Sequence, residues 1–140
     1  EKISCMKIVL DSNILFSALV KDSKTRRIIL EYEGFFLFPQ FIFEEMEKHI
    51  EELLKKSKLS KQEFNTLLTT LLKKVVIVPN DVLLPFRRKA LDIVKNIDKD
   101  DVLFVACVLA YPESIIWSND KKLKTQKSIR VLNTNEISNF

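Results

Sequence analysis

The sequence predicts an α/β sandwich built on a mainly parallel sheet of about five strands. Two observations carry that prediction. Short apolar runs alternate with helical patterns almost from end to end, the order expected when crossover helices link parallel strands. In addition, 140 residues, 46% of them hydrophobic, suffice for one well-packed core but not for two comfortable ones. A single domain over residues 6–138 is therefore expected. Met6-Lys7-Ile8 looks like a natural start, so residues 1–5 are expected to be an N-terminal extension or a cloning remnant.

The first strand is Met6-Lys7-Ile8-Val9-Leu10, closed by Asp11, and Asn13 then opens a helical pattern. A second helix is expected from Ser23 to about Tyr32, with Ile28, Ile29 and Tyr32 facing inward. Strand two is Phe35-Phe36-Leu37-Phe38, stopped by Pro39, and a long helix follows from about Phe41 to Lys56. Ser60-Lys61-Gln62-Glu63 matches a capping box and starts a helix through Lys73. In that helix Phe64, Leu67, Leu68, Leu71 and Leu72 recur at helical spacing as one apolar stripe. The two helices make a protruding α-hairpin, whose stripe could form a homodimer surface or pack within the monomer.

Val75 to Val78 is the third strand, ended by Pro79, and Phe86 to Lys95 is a helix entered through Pro85. The next helix begins near Asp98 and runs through Val102, Val105, Ala106, Val108 and Leu109 toward Pro112. Ser114-Ile115-Ile116-Trp117 is strand four and Ile129 to Leu132 a short fifth, after which Thr134 could cap a last helical turn.

Four acids fall at corresponding places in this order. Asp11 and Asp120 follow strands one and four, while Glu45 and Asp101 lie early in the helices after strands two and three. In a parallel sheet those positions share one rim, where ligands bind. Each acid alone has a structural explanation: Asp11 and Asp120 as helix caps, Asp98 and Asp101 as charges favoured at a helix N-terminus, Glu45 as part of the solvated face with Glu44, Glu47, Glu51 and Glu52. Capping does not require all four at one rim, whereas a metal pocket does. Crowded carboxylates oppose one another's ionisation, and a divalent cation offsets that cost. An all-oxygen set suits Mg²⁺ or Mn²⁺, since zinc sites recruit Cys or His. Asp98 reads as the N-cap of its helix, with a possible reach to the metal through water. The sole histidine, His49, lies one turn beyond Glu45 and reads as a solvated surface residue.

Charge points the same way. The chain carries 23 basic and 19 acidic side chains, a net +4, and setting the four rim acids aside leaves a basic excess of eight. A basic exterior around a metal-loaded acidic pocket favours a polyanionic substrate. Lys21, Lys24, Arg26 and Arg27 after the first rim element, and Lys121, Lys122, Lys124 and Lys127 after the fourth, are the expected phosphate contacts. A solubilising face, or the charge-rich composition of a heat-adapted protein, would give the same pattern. No apolar run approaches the ~20 residues of a membrane span, and the N-terminus lacks a secretory pattern, so a cytoplasmic protein is expected. Cys5 and Cys107 share no C-x-x-C spacing and read as reduced thiols with packing roles.

At these residues the chain resembles the PIN-domain ribonuclease family, from Met6 almost to the C-terminus. Ile8-Val9-Leu10-Asp11-Ser12-Asn13-Ile14-Leu15 is similar to that family's opening strand and first acid, with serine where threonine is commoner. Pro39-Gln40-Phe41-Ile42-Phe43-Glu44-Glu45 resembles the segment of the second acid, which leaves Glu44 and Glu45 both open for the role. Asp98-Lys99-Asp100-Asp101-Val102-Leu103-Phe104-Val105-Ala106 resembles the third-acid helix and Trp117-Ser118-Asn119-Asp120 the fourth. The resemblance implies a three-layer α/β/α sandwich, commonly dimeric, that cleaves RNA with Mg²⁺ or Mn²⁺, as a free-standing archaeal nuclease or as a toxin held by an antitoxin.

On that reading Asp11, Glu45, Asp101 and Asp120 hold one or two ions, with Asp98 as a further metal contact, while Asn13 and Ser118 orient a carboxylate, water or phosphate oxygen. Two other classes remain. A non-catalytic RNA-binding or scaffold domain would keep the pocket without turnover. A phosphotransfer enzyme with an Asp nucleophile would want a second acid two residues after Asp11, where Asn13 stands.

Overall fold

The computed structural model describes residues 6–21 and 23–139. The expected extension, residues 1–5 with Cys5, lies outside the described residues. Strands β1 (Ile8–Leu10), β2 (Phe36–Pro39), β3 (Val75–Val78), β4 (Ile115–Trp117) and β5 (Val131–Leu132) form one sheet in the order β3-β2-β1-β4-β5, with every neighbouring pair parallel. β1, β2 and β4 are buried along their whole length. That is why their sequences read as unbroken apolar runs rather than as alternating ones: helices cover both faces of a parallel sheet.

Helices α1 (Ser12–Val20), α2 (Lys24–Glu31), α3 (Ile42–Ser57) and α4 (Lys61–Leu72) pack on one another in one layer. Helices α5 (Asn80–Leu83), α6 (Arg87–Val94) and α7 (Val102–Ala110) make the other, with α7 seated on β1, β2 and β4. A short α8 (Thr134–Ser138) follows β5. The architecture is the α/β/α sandwich that the sequence implied. Between the layers Phe36, Phe38 and Trp117 are fully buried, and Phe38 meets Phe104 of α7 edge to face at 5.4 Å between ring centres.

The Ser60 capping box is present with both of its hydrogen bonds. The hairpin stripe is largely covered within the chain: Phe64 and Leu71 are buried, Leu67 and Leu68 half-buried, and α4 touches α1, α2, α3 and β3. Lys58 ends α3 in the left-handed region at φ 60°.

Strand and helix ends shift by a residue or two from the sequence reading, with β1 starting at Ile8 and Pro39 closing β2 from inside it, and three further differences have a visible cause. The fifth strand starts at Val131, because the Gln126 side chain accepts from the Ile129 N–H at 2.9 Å and donates to its carbonyl at 2.8 Å, which takes that residue's backbone out of the ladder. Asn133, not Thr134, caps the last helix, in a capping box with Glu136. The Thr134 hydroxyl instead accepts from Trp117 Nε1 and Asn119 Nδ2, each at 3.0 Å. The helix expected near Asp98 begins at Val102, after a 3₁₀ turn over Lys99–Asp101, and Asp98 opens that turn by accepting from the Asp100 N–H at 2.9 Å.

Candidate functional site

Chain order reverses about β1, which has β2 on one side and β4 on the other. A crevice opens at such a switch point, beyond the carboxyl ends of the two strands. β1 and β4 pair with Leu10 opposite Trp117, so the residues that follow, Asp11 and Ser118, emerge side by side into that crevice.

The local folding of each acid fixes which of its oxygens are spent. Asp11 caps α1, with Oδ1 accepting from the Asn13 N–H at 2.7 Å, and its Oδ2 accepts from Ser118 Oγ at 2.6 Å. Ser118 Oγ also accepts from the Asp120 N–H at 3.1 Å. Asp120 Oδ1 closes its own turn by accepting from the N–H groups of Lys122 and Leu123. The capping explanation thus holds for Asp11, whereas Asp120 closes a turn and Lys122 stands at the N-cap of the short 3₁₀ helix that follows; each carboxylate keeps acceptor capacity to spare.

Asp101 is the exception. It occupies the N-cap position of α7 with helical backbone angles and makes no capping bond. Its Oδ2 is buried without a hydrogen-bond partner. Burial, then the neighbouring charges of Asp11, Asp98, Asp120 and Asp100, push its pKa up to about 7. Asp11 is likewise raised, chiefly by burial, against the lowering effect of its hydrogen bonds to Ser118 and Asn13.

Asp98, Asp101 and Asp120 each offer a ligand atom within 4.8 Å of the others. Asp98, expected as a cap with a secondary reach, is therefore a member of the close group. Asp11 lines the same cavity; its charge adds to the rise at Asp101, and those of Asp120 and Asp98 add to its own. Glu45 is not in the close group. It lines the same cavity of about 940 Å³, but its carboxylate lies 3.6 Å from His49 Nε2. Glu44 is exposed and does not line that cavity. His49 borders it as well, in oblique contact with Phe16 at 5.6 Å, while its side chain stays about half exposed, as a surface residue at the cavity edge. Asn13 is exposed at the cavity edge.

A family model described as PIN domain matches residues 9–138. The chain belongs to the PIN-domain family. No curated protein matches it closely enough to add a named relative. PIN domains are in general metal-dependent nucleases acting on RNA, and the Asp98, Asp101 and Asp120 group of this PIN domain is compatible with a divalent ion.

None of the eight expected phosphate contacts lines the PIN cavity. Arg26 is spent on the fold: its Nε donates to the Ala18 carbonyl at 2.7 Å and its Nη2 to that of Leu19 at 3.4 Å, closing the end of α1. Lys124 pairs with Glu136, and Lys24 reaches Asn135 at 3.5 Å. Lys121 and Lys124 border a smaller cleft of about 380 Å³ beside Asp120, while Lys21, Arg27, Lys122 and Lys127 are exposed. The cations that do line the acidic cavity are Lys48, Arg87 and Arg88. A signal for them existed: Lys48 follows Glu45 by three positions, one helical turn, and Arg87-Arg88 opens the helix before the third acid.

Proposed function

We propose that this chain is an endoribonuclease that hydrolyses RNA phosphodiester bonds with Mg²⁺ or Mn²⁺, and that residues 6–138 form its one domain. One observation carries the reading: Asp101, which stands in a close group of carboxylates, has a buried carboxylate oxygen left without a partner. Leaving such an atom unsatisfied is costly, and no basic side chain pairs with it among the described residues. A hard cation fits a donor set made only of oxygens. Asp11, Asp98, Asp101 and Asp120 would hold it, with Glu45 completing the acidic lining. When bound, a divalent ion supplies Lewis acidity that activates water near neutral pH and stabilises charge on a phosphoryl group.

The remaining work falls to this chain's own residues. Ser118 holds Asp11 by its hydroxyl and receives the Asp120 N–H, so one side chain sets two acids. Asn119 bonds twice to Thr134, once through each end of its amide, and thereby anchors the loop between them. Family membership is what supports a homodimer, an antitoxin protein as partner and a cytoplasmic setting. Among the described residues no helix is long and apolar enough to cross a membrane.

A second reading, a non-catalytic RNA-binding or scaffold domain, draws on Glu45, which turns to His49 and not to the other acids. RNA cleavage in Mg²⁺ or Mn²⁺ and in chelator, with the native chain and with Asp11→Asn, separates the two. Cleavage that needs metal and vanishes in the variant is expected; equal cleavage in all arms would sink the nuclease reading, and metal-dependent stabilisation without any cleavage would favour the second.

A further inference from the structure

Three cations line the acidic cavity, and none has an acidic partner among the described residues. Lys48 reaches it from α3, in one helical layer, and Arg87 and Arg88 from the start of α6, in the other. The ion pairs among the described residues join His49 to Glu45 and Glu52, Lys56 to Glu52, and Lys124 to Glu136. Opposite charges that share a cavity yet stay beyond pairing distance leave room for something between them. The volume, about 940 Å³, is that of a ligand site and not of a packing defect. Phe16 and His49, in oblique contact, add ring surface to the same lining. Unpaired cations beside partly exposed rings match the needs of single-stranded nucleic acid, whose phosphates seek charge and whose unstacked bases seek aromatic planes.

We propose that Lys48, Arg87 and Arg88 grip the phosphates of a single-stranded RNA segment as it crosses the acids, with Phe16 and His49 receiving a base. This rests on the nuclease reading for the choice of RNA, but the contact itself is a binding property. The Arg pair grips from one wall and Lys48 from the other, so the strand is drawn over the carboxylates and not along the outer lysines near residues 21–27 and 121–127.

The test is equilibrium binding of a labelled single-stranded oligoribonucleotide in chelator, where metal-dependent cleavage is switched off, over a series of salt concentrations. The triple variant K48Q/R87Q/R88Q removes three phosphate contacts, each worth about 0.7 in the slope of log affinity against log salt. Its slope is expected to fall by about 2 and its affinity at the lowest salt by at least roughly tenfold. The control K61Q/K73Q removes charge from the two ends of α4, outside the cavity lining, and is expected to leave the slope unchanged. All five positions are exposed, and thermal melts of both variants check that the fold is intact. A triple variant with the native slope, a control that loses as much, or a native chain that does not bind the oligonucleotide would overturn the proposal. Should the native chain cut RNA while the triple variant keeps its slope, the assignment fails and the nuclease reading stands. Should the slope fall although no RNA is ever cut, the assignment stands and the nuclease reading fails.

Discussion

Ser118 Oγ donates to Asp11 Oδ2 at 2.6 Å across a separation of 107 residues, and the bond is buried. It joins the ends of two adjacent parallel strands, and so couples the geometry of the candidate site to the register of the sheet. Ser118→Ala should leave Asp11 held only by its capping bond from the Asn13 N–H and remove the acceptor of the Asp120 N–H. Metal affinity is expected to fall about 10- to 100-fold, read by titration calorimetry with Mn²⁺, while activity at saturating metal recovers most of the loss. Ser118→Thr, which keeps the hydroxyl, should recover more. A variant with native affinity would mean that Asp11 needs no such support.

Metal binding should appear as stability. A ligand at about 100 times its dissociation constant adds about 2.7 kcal/mol to the folded state, which raises the melting temperature by several degrees in a chain of this size. Mg²⁺ or Mn²⁺ is therefore expected to raise the melting point of the native chain and to have little effect on D98N/D120N. An equal rise in both would place the ion elsewhere.

Asp101 makes stability depend on pH in an uncommon direction. Its folded pKa, about 7, lies above the ordinary carboxylate value, so the folded chain holds a proton that the unfolded chain releases between roughly pH 4 and 7. Stability without metal should fall as pH rises through that window and level off above it. Asp101→Asn keeps the shape without the charge. It should melt higher than the native chain at pH 7.5, match it near pH 4, and lose the metal-induced rise. Native and variant curves that run parallel across the window would refute the assignment.

Thr134 supports the fourth acid from behind, by accepting from Trp117 Nε1 and Asn119 Nδ2. Thr134→Val leaves the indole N–H of a fully buried tryptophan without its partner, at a cost of about 1–3 kcal/mol. A denaturant melt reads that loss. A change under about 0.5 kcal/mol would mean that the indole finds another acceptor.

Lys58 adopts φ 60° where α3 ends, a conformation that glycine tolerates without steric cost. Lys58→Gly should stabilise the chain by up to about 1 kcal/mol, measured in the same way. A loss of stability would show that the lysine side chain does more in the α3–α4 turn than its backbone strain costs.

Most of the architecture was legible in the sequence because its signals are local. The buried strands Ile8–Leu10, Phe36–Pro39 and Ile115–Trp117 announce themselves as apolar runs, and the Ser60 box writes the start of α4 in four residues. The acids at strand ends were legible for the same reason, since a parallel sheet sends every strand's carboxyl end to one side. Where the sequence reading missed, a side-chain hydrogen bond had intervened, local in one case and from more than a dozen residues away in the other. Gln126 shortened the fifth strand through side-chain bonds to Ile129, and Thr134 was drawn from the helix cap to Trp117 and Asn119.

The sequence by itself determined an alternation of strands and helices and the set of acids that share a rim. Tertiary structure decided how those acids are used. It gathered Asp98 with Asp101 and Asp120, turned Glu45 toward His49, left one oxygen of Asp101 unsatisfied, and brought Lys48, Arg87 and Arg88 to the cavity in place of the expected cations near residues 21–27 and 121–127. The physical reason is range. Propensity and periodicity act over a few residues, whereas carboxylate desolvation and charge pairing depend on which surfaces meet once the sheet has closed against its two helical layers.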